Sequence, residues 1–168
     1  MLNPNPDITV HLADPESTEA RLCLAAYYAL LNERFDTGFE VAKSADPQAD
    51  AMRPPIGGFW VARLGETPVG CVGLKGGAEY GEVKRLWVDA SVRGRGLARR
   101  LMQTIEDQAR ATGITVLRLD TNAKLPEALK LYQNSGWTEI PRFNADPYPT
   151  HFFEKRLSAS DQRPAEPC

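Results

Sequence analysis

The feature that most constrains the fold is a strand-like segment followed by a glycine- and arginine-rich turn. Residues 82–88 read Glu-Val-Lys-Arg-Leu-Trp-Val, and residues 93–98 read Arg-Gly-Arg-Gly-Leu-Ala. An amphipathic pattern begins within the turn and predicts a helix whose apolar face contains Leu97, Leu101, Ile105 and Ala109. Residues 114–119 then predict another strand. A strand, a helix and a strand in this order predict a parallel pair with a right-handed crossover.

The turn itself predicts an anion site. The start of a helix offers backbone N–H groups without helical partners and the positive end of the helix dipole. Gly94 and Gly96 lack a Cβ, so an anion can approach their backbone closely. Positive charge comes from Arg93, Arg95 and Arg99. The alternative interpretation is a solvated basic helix start without a ligand.

The segments before this unit predict an antiparallel meander. Residues 8–12 alternate as a first strand. Asp14 followed by Pro15 is typical of a helix start and predicts that the first helix begins there. Residues 59–64 and 69–74 predict a hairpin, with Gly65-Glu66-Thr67-Pro68 as the turn. Residues 82–88 then supply the third strand of the meander.

The segments after it predict a short helix from Pro126 and strands at 137–140 and 151–157. Together these elements indicate a single α+β (mixed α/β) domain over residues 1–157, with a central mixed sheet of six to seven strands and helices on both faces. Residues 158–168 are polar and contain two prolines, so we expect a disordered tail.

Composition limits the functional classes. The formal net charge of -2 argues against a nucleic-acid partner, although a binder that uses the basic residues from Arg93 to Arg100 is an alternative. No apolar stretch approaches the about 20 residues that span a bilayer, and the first residues do not resemble a leader. The three cysteines have no metal-ligand spacing and suggest a reducing compartment. We therefore expect a cytoplasmic protein without a metal or a membrane partner.

Two motifs in order resemble a known family. Residues 93–98 fit the pattern Arg/Gln-x-x-Gly-x-Gly/Ala. Residues 128–137, Ala-Leu-Lys-Leu-Tyr-Gln-Asn-Ser-Gly-Trp, fit Ala-x-x-Leu-Tyr-x-x-x-Gly-Phe, with Trp137 in place of the usual Phe. Over roughly residues 7–157 the chain resembles the GNAT superfamily, whose members transfer an acetyl group from acetyl-CoA to an amine. Homodimers are common in that family, so a homodimer is one assembly that the resemblance allows.

The resemblance implies where acetyl-CoA binds. Leu86 and Val88 would pair through their backbone with the pantetheine arm, in a gap between two diverging strands. A backbone N–H near Leu86 would polarise the thioester carbonyl. Asn122 is expected to touch the cofactor or the substrate, and its alternative role is an ordinary loop cap. The expected cofactor-binding residues are Leu86, Trp87, Val88, Arg93, Gly94, Arg95, Gly96, Leu97, Ala98, Arg99 and Asn122.

Direct attack by an amine in a ternary complex needs a base and a proton donor. Glu82 begins the cofactor-binding strand and is the candidate base. Its alternative role is a solvent-facing carboxylate at a strand edge. Tyr132 matches the family tyrosine and is the candidate donor to the CoA thiolate, and its alternative role is a packed aromatic.

The acceptor is expected to be the primary amine of a small molecule, an amino acid or a peptide. Residues 36–57 and 144–151 would border its site. Candidates to attract the amine are Asp36, Asp46, Asp50, Asp120 and Asp146, and Arg53 and Arg142 could hold a carboxylate. A non-catalytic acyl-CoA-binding module of the same fold is the alternative to an enzyme.

Overall fold

The protein is built on one seven-stranded mixed sheet. A computed structural model describes residues 7–43 and 49–157, so the expected tail and Asp46 lie outside the described residues. The strands are β1 (Ile8–Ala13), β2 (Gly58–Leu64), β3 (Thr67–Lys75), β4 (Gly81–Val88), β5 (Val116–Thr121), β6 (Thr138–Ile140) and β7 (His151–Arg156). The helices are α1 (Thr18–Arg34), α2 (Leu97–Ala111) and α3 (Pro126–Gln133), with short 3-10 turns at Val41–Lys43 and Ala90–Val92.

The predicted α+β topology is confirmed. The strand order is β1-β2-β3-β4-β5-β7-β6. Strands β1 to β4 pair antiparallel as a meander, β4 pairs parallel with β5 across α2, and β7 pairs antiparallel with both β5 and β6. Since successive side chains of a strand face opposite sides, the sheet has two faces to cover.

Helices cover both faces, as predicted. On one face α1 packs on β2 and β3, through buried residues that include Ala20, Cys23, Phe59, Val61 and Cys71. On the other face α2 packs against alternate residues of the same strands, and this cluster includes Leu97, Leu101, Ile105, Trp60 and Val72. The apolar face predicted for α2 is therefore the buried face.

Two local predictions need correction. Helix α1 begins after Ser17, whose hydroxyl accepts the Ala20 N–H at 3.3 Å. The Asp14 carboxylate instead accepts the Glu16 N–H at 2.8 Å, so it stabilises a turn that precedes the helix. Pro68 was expected in the hairpin turn but lies in β3, opposite Arg63, where the register with β2 shifts. A proline is tolerated there because the irregular pairing does not require its missing N–H.

The feature that positions the site is an opening between β4 and β5. Their parallel pairing ends at Val83 and Leu119, although β4 continues to Val88 and β5 to Thr121. The register between β3 and β4 also shifts next to this point, and Arg85 has a φ of 58°. A bulge changes the direction of the strand. Non-glycine residues with positive φ are often found at functional sites.

Candidate functional site

The turn before α2 has the geometry of an anion cradle. Gly94 and Gly96 have φ values of 79° and 77°, in the left-handed region that favours glycine. Gly96 is the N-cap of α2 and no side chain caps the helix. A Cβ added at either glycine would meet no atom within 4 Å, so the space in front of the backbone is open. These observations fit a bound phosphate group.

A groove runs from this turn along β4, and we call it the turn-side groove. One end contains the turn and Arg93, and the rest is mainly apolar. It is lined by Tyr27, Leu30, Leu86, Trp87, Val88, Val92, Arg93, Gly94, Gly96, Leu97, Ala98, Arg99, Leu125, Glu127, Ala128 and Leu131. The structure therefore brings together all the expected cofactor-binding residues except Arg95 and Asn122, which do not line this groove.

Glu127 adds a negative charge near the basic end of the groove. Its carboxylate lies 3.0 Å from Arg34 and 3.8 Å from Arg93. Partial burial raises the pKa of Glu127, but the hydrogen bond from Arg34 and the charge of Arg93 outweigh it, and the net pKa is lowered. Glu127 therefore stays ionised and partly neutralises Arg93. Backbone N–H groups of the turn and Arg99, which also lines the groove, would then add to the attraction of Arg93 for an anion.

A second cavity adjoins the groove at the opening between β4 and β5, and we call it the aromatic pocket. The two share Tyr27, Leu86, Leu125 and Ala128. The aromatic pocket is lined by Tyr27, Tyr28, Leu31, Phe35, Phe39, Val83, Lys84, Arg85, Leu86, Asp120, Thr121, Asn122, Leu125, Ala128, Tyr132, Asp146, Tyr148 and Pro149. Leu86, which follows the residue with positive φ, lies where the two cavities meet.

A buried ion cluster forms the polar floor of the aromatic pocket. Lys84 Nζ lies 3.5 Å from Glu82 Oε2 and 3.5 Å from Asp120 Oδ2. Asp120 Oδ2 also accepts a hydrogen bond of 2.7 Å from Asn144. The side chain of Glu82 is only 12% exposed, so Glu82 is not the solvent-facing carboxylate of the alternative interpretation. Asp120 and Lys84 line the pocket, whereas Glu82 lies beside Lys84 and does not line it.

Two tyrosine hydroxyls belong to the same pocket. Burial raises the pKa of Tyr132 well above its usual range, and the negative charge of Asp120 raises it further. Burial also raises the pKa of Tyr27, with added effects from Tyr132 and Asp120. Both phenols therefore keep their protons and can act as hydrogen-bond donors. The Tyr132 ring packs 6.0 Å from those of Trp137 and Phe153, so Tyr132 is both a packed aromatic and a pocket residue.

Asn122 organises the loop that borders the pocket. Its amide donates to the Tyr148 carbonyl at 2.7 Å, and its oxygen accepts the Lys124 N–H at 2.8 Å. These are the contacts of a loop cap, the alternative role considered for this residue. Asn122 nevertheless lines the aromatic pocket, so a contact with a bound molecule is compatible with this role.

Two arginines considered as carboxylate ligands are engaged elsewhere. Arg53 pairs with Asp14 at 2.7 Å and with Glu16 at 3.2 Å. Arg142 donates to the Asn144, Asp146 and Pro149 carbonyls and stacks on Phe152. Neither lines the aromatic pocket.

Sequence reasoning missed the roles of several residues in this pocket. The candidate site residues did not include Tyr27, Tyr28, Lys84 or Arg85. The available signal was two consecutive basic residues inside an otherwise apolar strand. Such residues must either face solvent or serve a polar site, and here they are 9% and 8% exposed.

The described residues, 7–43 and 49–157, contain neither a candidate membrane-spanning helix nor a candidate metal cluster. Within those ranges no helix is both long and apolar enough to cross a membrane. The same ranges contain no group of three or more His, Cys, Asp or Glu side chains placed to hold a metal ion.

Comparison with known proteins places this geometry in a family. Residues 24–137 match the model of the acetyltransferase (GNAT) family. A protein named IAA acetyltransferase from Azospirillum brasilense is 40% identical over 106 residues, which are 59% of this chain and 67% of that relative. The match thus spans about two thirds of the relative.

Solved structures agree with the fold. An acetyltransferase of the GNAT family from Staphylococcus aureus Mu50 superimposes with a TM-score of 0.80 at 19% identity, covering 90% of this chain and 100% of that one. N-acetylglutamate synthase from Neisseria gonorrhoeae, complexed with coenzyme A and N-acetyl-glutamate, has a TM-score of 0.68 at 19% identity, covering 90% of this chain and 35% of that one. The chain belongs to the acetyltransferase (GNAT) family, a family of acyltransferase enzymes.

Proposed function

We propose that the protein is an N-acetyltransferase that transfers the acetyl group of acetyl-CoA to the primary amine of a small molecule, an amino acid or a peptide. The observation that carries this proposal is the meeting of two cavities at Leu86. One leads to an anion cradle, and the other contains the carboxylate of Asp120 and the phenols of Tyr27 and Tyr132. A donor and an acceptor held in these cavities would bring their reacting atoms together, as direct attack in a ternary complex requires.

Residues of the turn-side groove would hold acetyl-CoA, which supplies the activated acetyl group as a thioester. The backbone of residues 93–99 would bind the pyrophosphate, since Gly94 and Gly96 leave their N–H groups accessible. Leu86, Trp87 and Val88 would border the pantetheine arm along β4. The complex of the Neisseria gonorrhoeae neighbour with coenzyme A supports this ligand.

The reaction itself needs no covalent enzyme intermediate. The amine nitrogen attacks the thioester carbonyl carbon, a C–N bond forms, and the C–S bond breaks with its electron pair left on sulfur. The amine loses a proton to a base, and the thiolate gains one from a donor. A backbone N–H at the bulge next to Leu86 would stabilise the charge that develops on the carbonyl oxygen.

Two carboxylates are candidates to take the proton from the amine. Asp120 lines the aromatic pocket and can meet the amine directly. Glu82, the candidate from the sequence, lies on the other side of Lys84 and could act through water. A base is required because a free alkylamine has a pKa of about 10.4 and is mostly protonated at neutral pH.

Tyr132 would return a proton to sulfur. Its buried phenol keeps its proton because burial and Asp120 raise its pKa. It also lines the aromatic pocket beside Ala128, which the two cavities share. Tyr27 lines both cavities and is the other phenol at the junction.

Calorimetric titration with acetyl-CoA, followed by an assay of CoA release with a panel of amines, tests the proposal. Saturable binding together with amine-dependent release of free thiol would support it. Binding without release for any amine would favour a non-catalytic acyl-CoA-binding module. If acetyl-CoA does not bind, the proposal fails, and salt-dependent binding of an oligonucleotide would then favour the nucleic-acid alternative.

A further inference from the structure

The basic side chains that line the aromatic pocket already have partners within the protein. Lys84 Nζ lies 3.5 Å from Glu82 Oε2 and 3.5 Å from Asp120 Oδ2. Arg85 has contacts of its own, and its guanidinium carbon lies 6.0 Å from the centre of the Tyr28 ring. Among the described residues that line the pocket, Lys84 and Arg85 are the only cations. A substrate carboxylate would therefore have to displace contacts that these cations already make.

The acidic group of the pocket is held in one orientation. Asp120 Oδ2 lies 3.5 Å from Lys84 Nζ and accepts a hydrogen bond of 2.7 Å from the Asn144 amide. Asn144 belongs to the loop between β6 and β7, which Arg142 holds by donating to the Asn144 and Asp146 carbonyls. A carboxylate fixed in this way can attract one ammonium group, that of the reacting amine.

Another wall of the pocket is aromatic. Tyr28 and Phe39 stack with ring centroids 5.5 Å apart, and Phe35 and Tyr148 stack at 5.6 Å. Phe39 and Tyr148 join the two pairs at 4.7 Å. All four rings line the pocket, and a continuous surface of this kind favours a flat aromatic group.

Hydrogen bonds hold this wall in place at Tyr148. Its hydroxyl accepts the Glu40 N–H at 2.9 Å, and its carbonyl accepts the Asn122 amide at 2.7 Å. The segment that follows α1 and the loop between β6 and β7 are thereby joined across the wall. Since the surface is already ordered, a ring that binds to it pays little for ordering the protein.

The charge of Arg85 disfavours a second cation on the wall. Aromatic faces attract cations, so a polyamine is the competing acceptor. The Arg85 guanidinium, however, already places a positive charge 6.0 Å from the Tyr28 ring. A second positive charge there would be repelled, whereas a neutral ring would not.

Resting on the proposed function, we propose that the acceptor is an arylalkylamine, a primary amine with an aromatic body and no carboxylate. Its ammonium group meets Asp120, and its ring lies on the wall formed by Tyr28, Phe35, Phe39 and Tyr148. A carboxylate on the same carbon as the amine would lie beside Asp120 and compete with it for Lys84, which is unfavourable in a buried site.

Steady-state CoA release with four acceptors tests this assignment. The acceptors are 2-phenylethylamine, ethylamine, L-phenylalanine and spermidine. We expect kcat/KM for 2-phenylethylamine to exceed that for each of the others by about tenfold or more, because only this amine buries a ring on the wall without adding a charge. Equal or faster turnover of ethylamine would overturn the role of the wall. The same result for L-phenylalanine would overturn the exclusion of a carboxylate, and for spermidine the exclusion of a second cation.

Variants test the wall separately. The ratio of kcat/KM for 2-phenylethylamine to that for ethylamine isolates the contribution of the ring, since both amines share the reacting group. Phe39→Leu removes one ring face and should lower this ratio by about threefold or more. Turnover of ethylamine shows that the variant is folded. An unchanged ratio in Phe39→Leu would overturn the assignment of the wall to the substrate ring.

Phe143→Leu is the matched control. Phe143 packs edge-on against Tyr80 and Phe152 and does not line the pocket. The same ratio in this variant should stay within about twofold of the wild type, because the substitution leaves the wall intact. An equal fall of the ratio in both variants would show that the wall has no special role.

The same assay distinguishes failure of this inference from failure of the proposed function. If acetyl-CoA binds and L-phenylalanine, spermidine or ethylamine is acetylated in preference to 2-phenylethylamine, this inference is wrong and the transferase remains. If acetyl-CoA does not bind, or binds while no amine is acetylated, the proposed function fails and this inference falls with it.

Discussion

Lys84 Nζ lies 3.5 Å from Asp120 Oδ2, across the point at which β4 and β5 cease to pair. The same ammonium group lies 3.5 Å from Glu82 Oε2. One buried cation therefore stands between two carboxylates and cannot neutralise both. Both carboxylates therefore lie beside the pocket where an amine would enter, which raises the question of which one accepts the proton.

The variants Asp120→Asn and Glu82→Gln answer that question, since each removes a charge at nearly constant shape. We expect Asp120→Asn to lower kcat/KM by about 100-fold, because Asp120 lines the pocket, and Glu82→Gln to have a smaller effect. The pH profile of kcat/KM identifies the base. If Glu82→Gln abolishes its acidic limb while Asp120→Asn keeps it, Glu82 is the base acting through water.

Tyr132→Phe tests the proton donor. Loss of the hydroxyl is expected to lower kcat by about 10- to 100-fold while the Kd for acetyl-CoA changes little. Burial and Asp120 raise the pKa of Tyr132, so the phenol stays protonated as the pH rises. The loss in kcat should therefore be the same at every pH from about 6 to 9. Tyr27→Phe is the comparison variant at the other phenol of the junction, and an equal loss in that variant would contradict the assignment of the donor role to Tyr132 alone.

Much of the fold follows from the sequence because its signals are local. The apolar spacing of α2, the glycine that ends it and the order of strands around it depend on periods and turn residues that lie close together in the chain. The start of α1 was predicted less well. Asp14, Pro15 and Ser17 all resemble helix starts, and only the backbone geometry selects the Ser17 hydroxyl as the cap.

The candidate site was predicted in part. Most residues of the turn-side groove were predicted, whereas several residues of the aromatic pocket were missed, and this difference has a physical cause. The turn-side groove is built mostly by one continuous segment, so its residues followed from the pattern of the turn and from the resemblance to the GNAT superfamily. The aromatic pocket is assembled by α1, β4, β5, α3 and the loop that contains Tyr148. The importance of Lys84 and Tyr28 depends on the separation of β4 from β5 and on the bulge at Arg85. These are long-range properties of the sheet, so the two consecutive basic residues of β4 can signal a polar site but do not identify the other residues that line it.

Leu101→Ala tests the packing of α2 on the sheet. The Leu101 side chain is fully buried and lies against Gly70 of β3, where an added Cβ would come within 3.3 Å of it. Truncation should lower the free energy of unfolding by about 2–5 kcal/mol, measured by urea denaturation. Gln103→Ala, on the exposed side of the same helix, is the control and should stay within about 0.5 kcal/mol. A loss below about 1 kcal/mol, which is well under the range for such a cavity, would contradict this packing.

Gly96→Glu tests the anion cradle. The new side chain would place bulk and negative charge at the open start of α2, where we expect the pyrophosphate, so acetyl-CoA binding should be lost in calorimetric titration. Because Gly96 has a φ of 77°, part of any effect could be backbone strain. Gly65→Glu controls for this, since Gly65 has a φ of 62° and open space around it in the β2–β3 turn, away from both cavities. The control should bind acetyl-CoA like the wild type, and unchanged affinity in Gly96→Glu would refute the assignment of the turn as the pyrophosphate site.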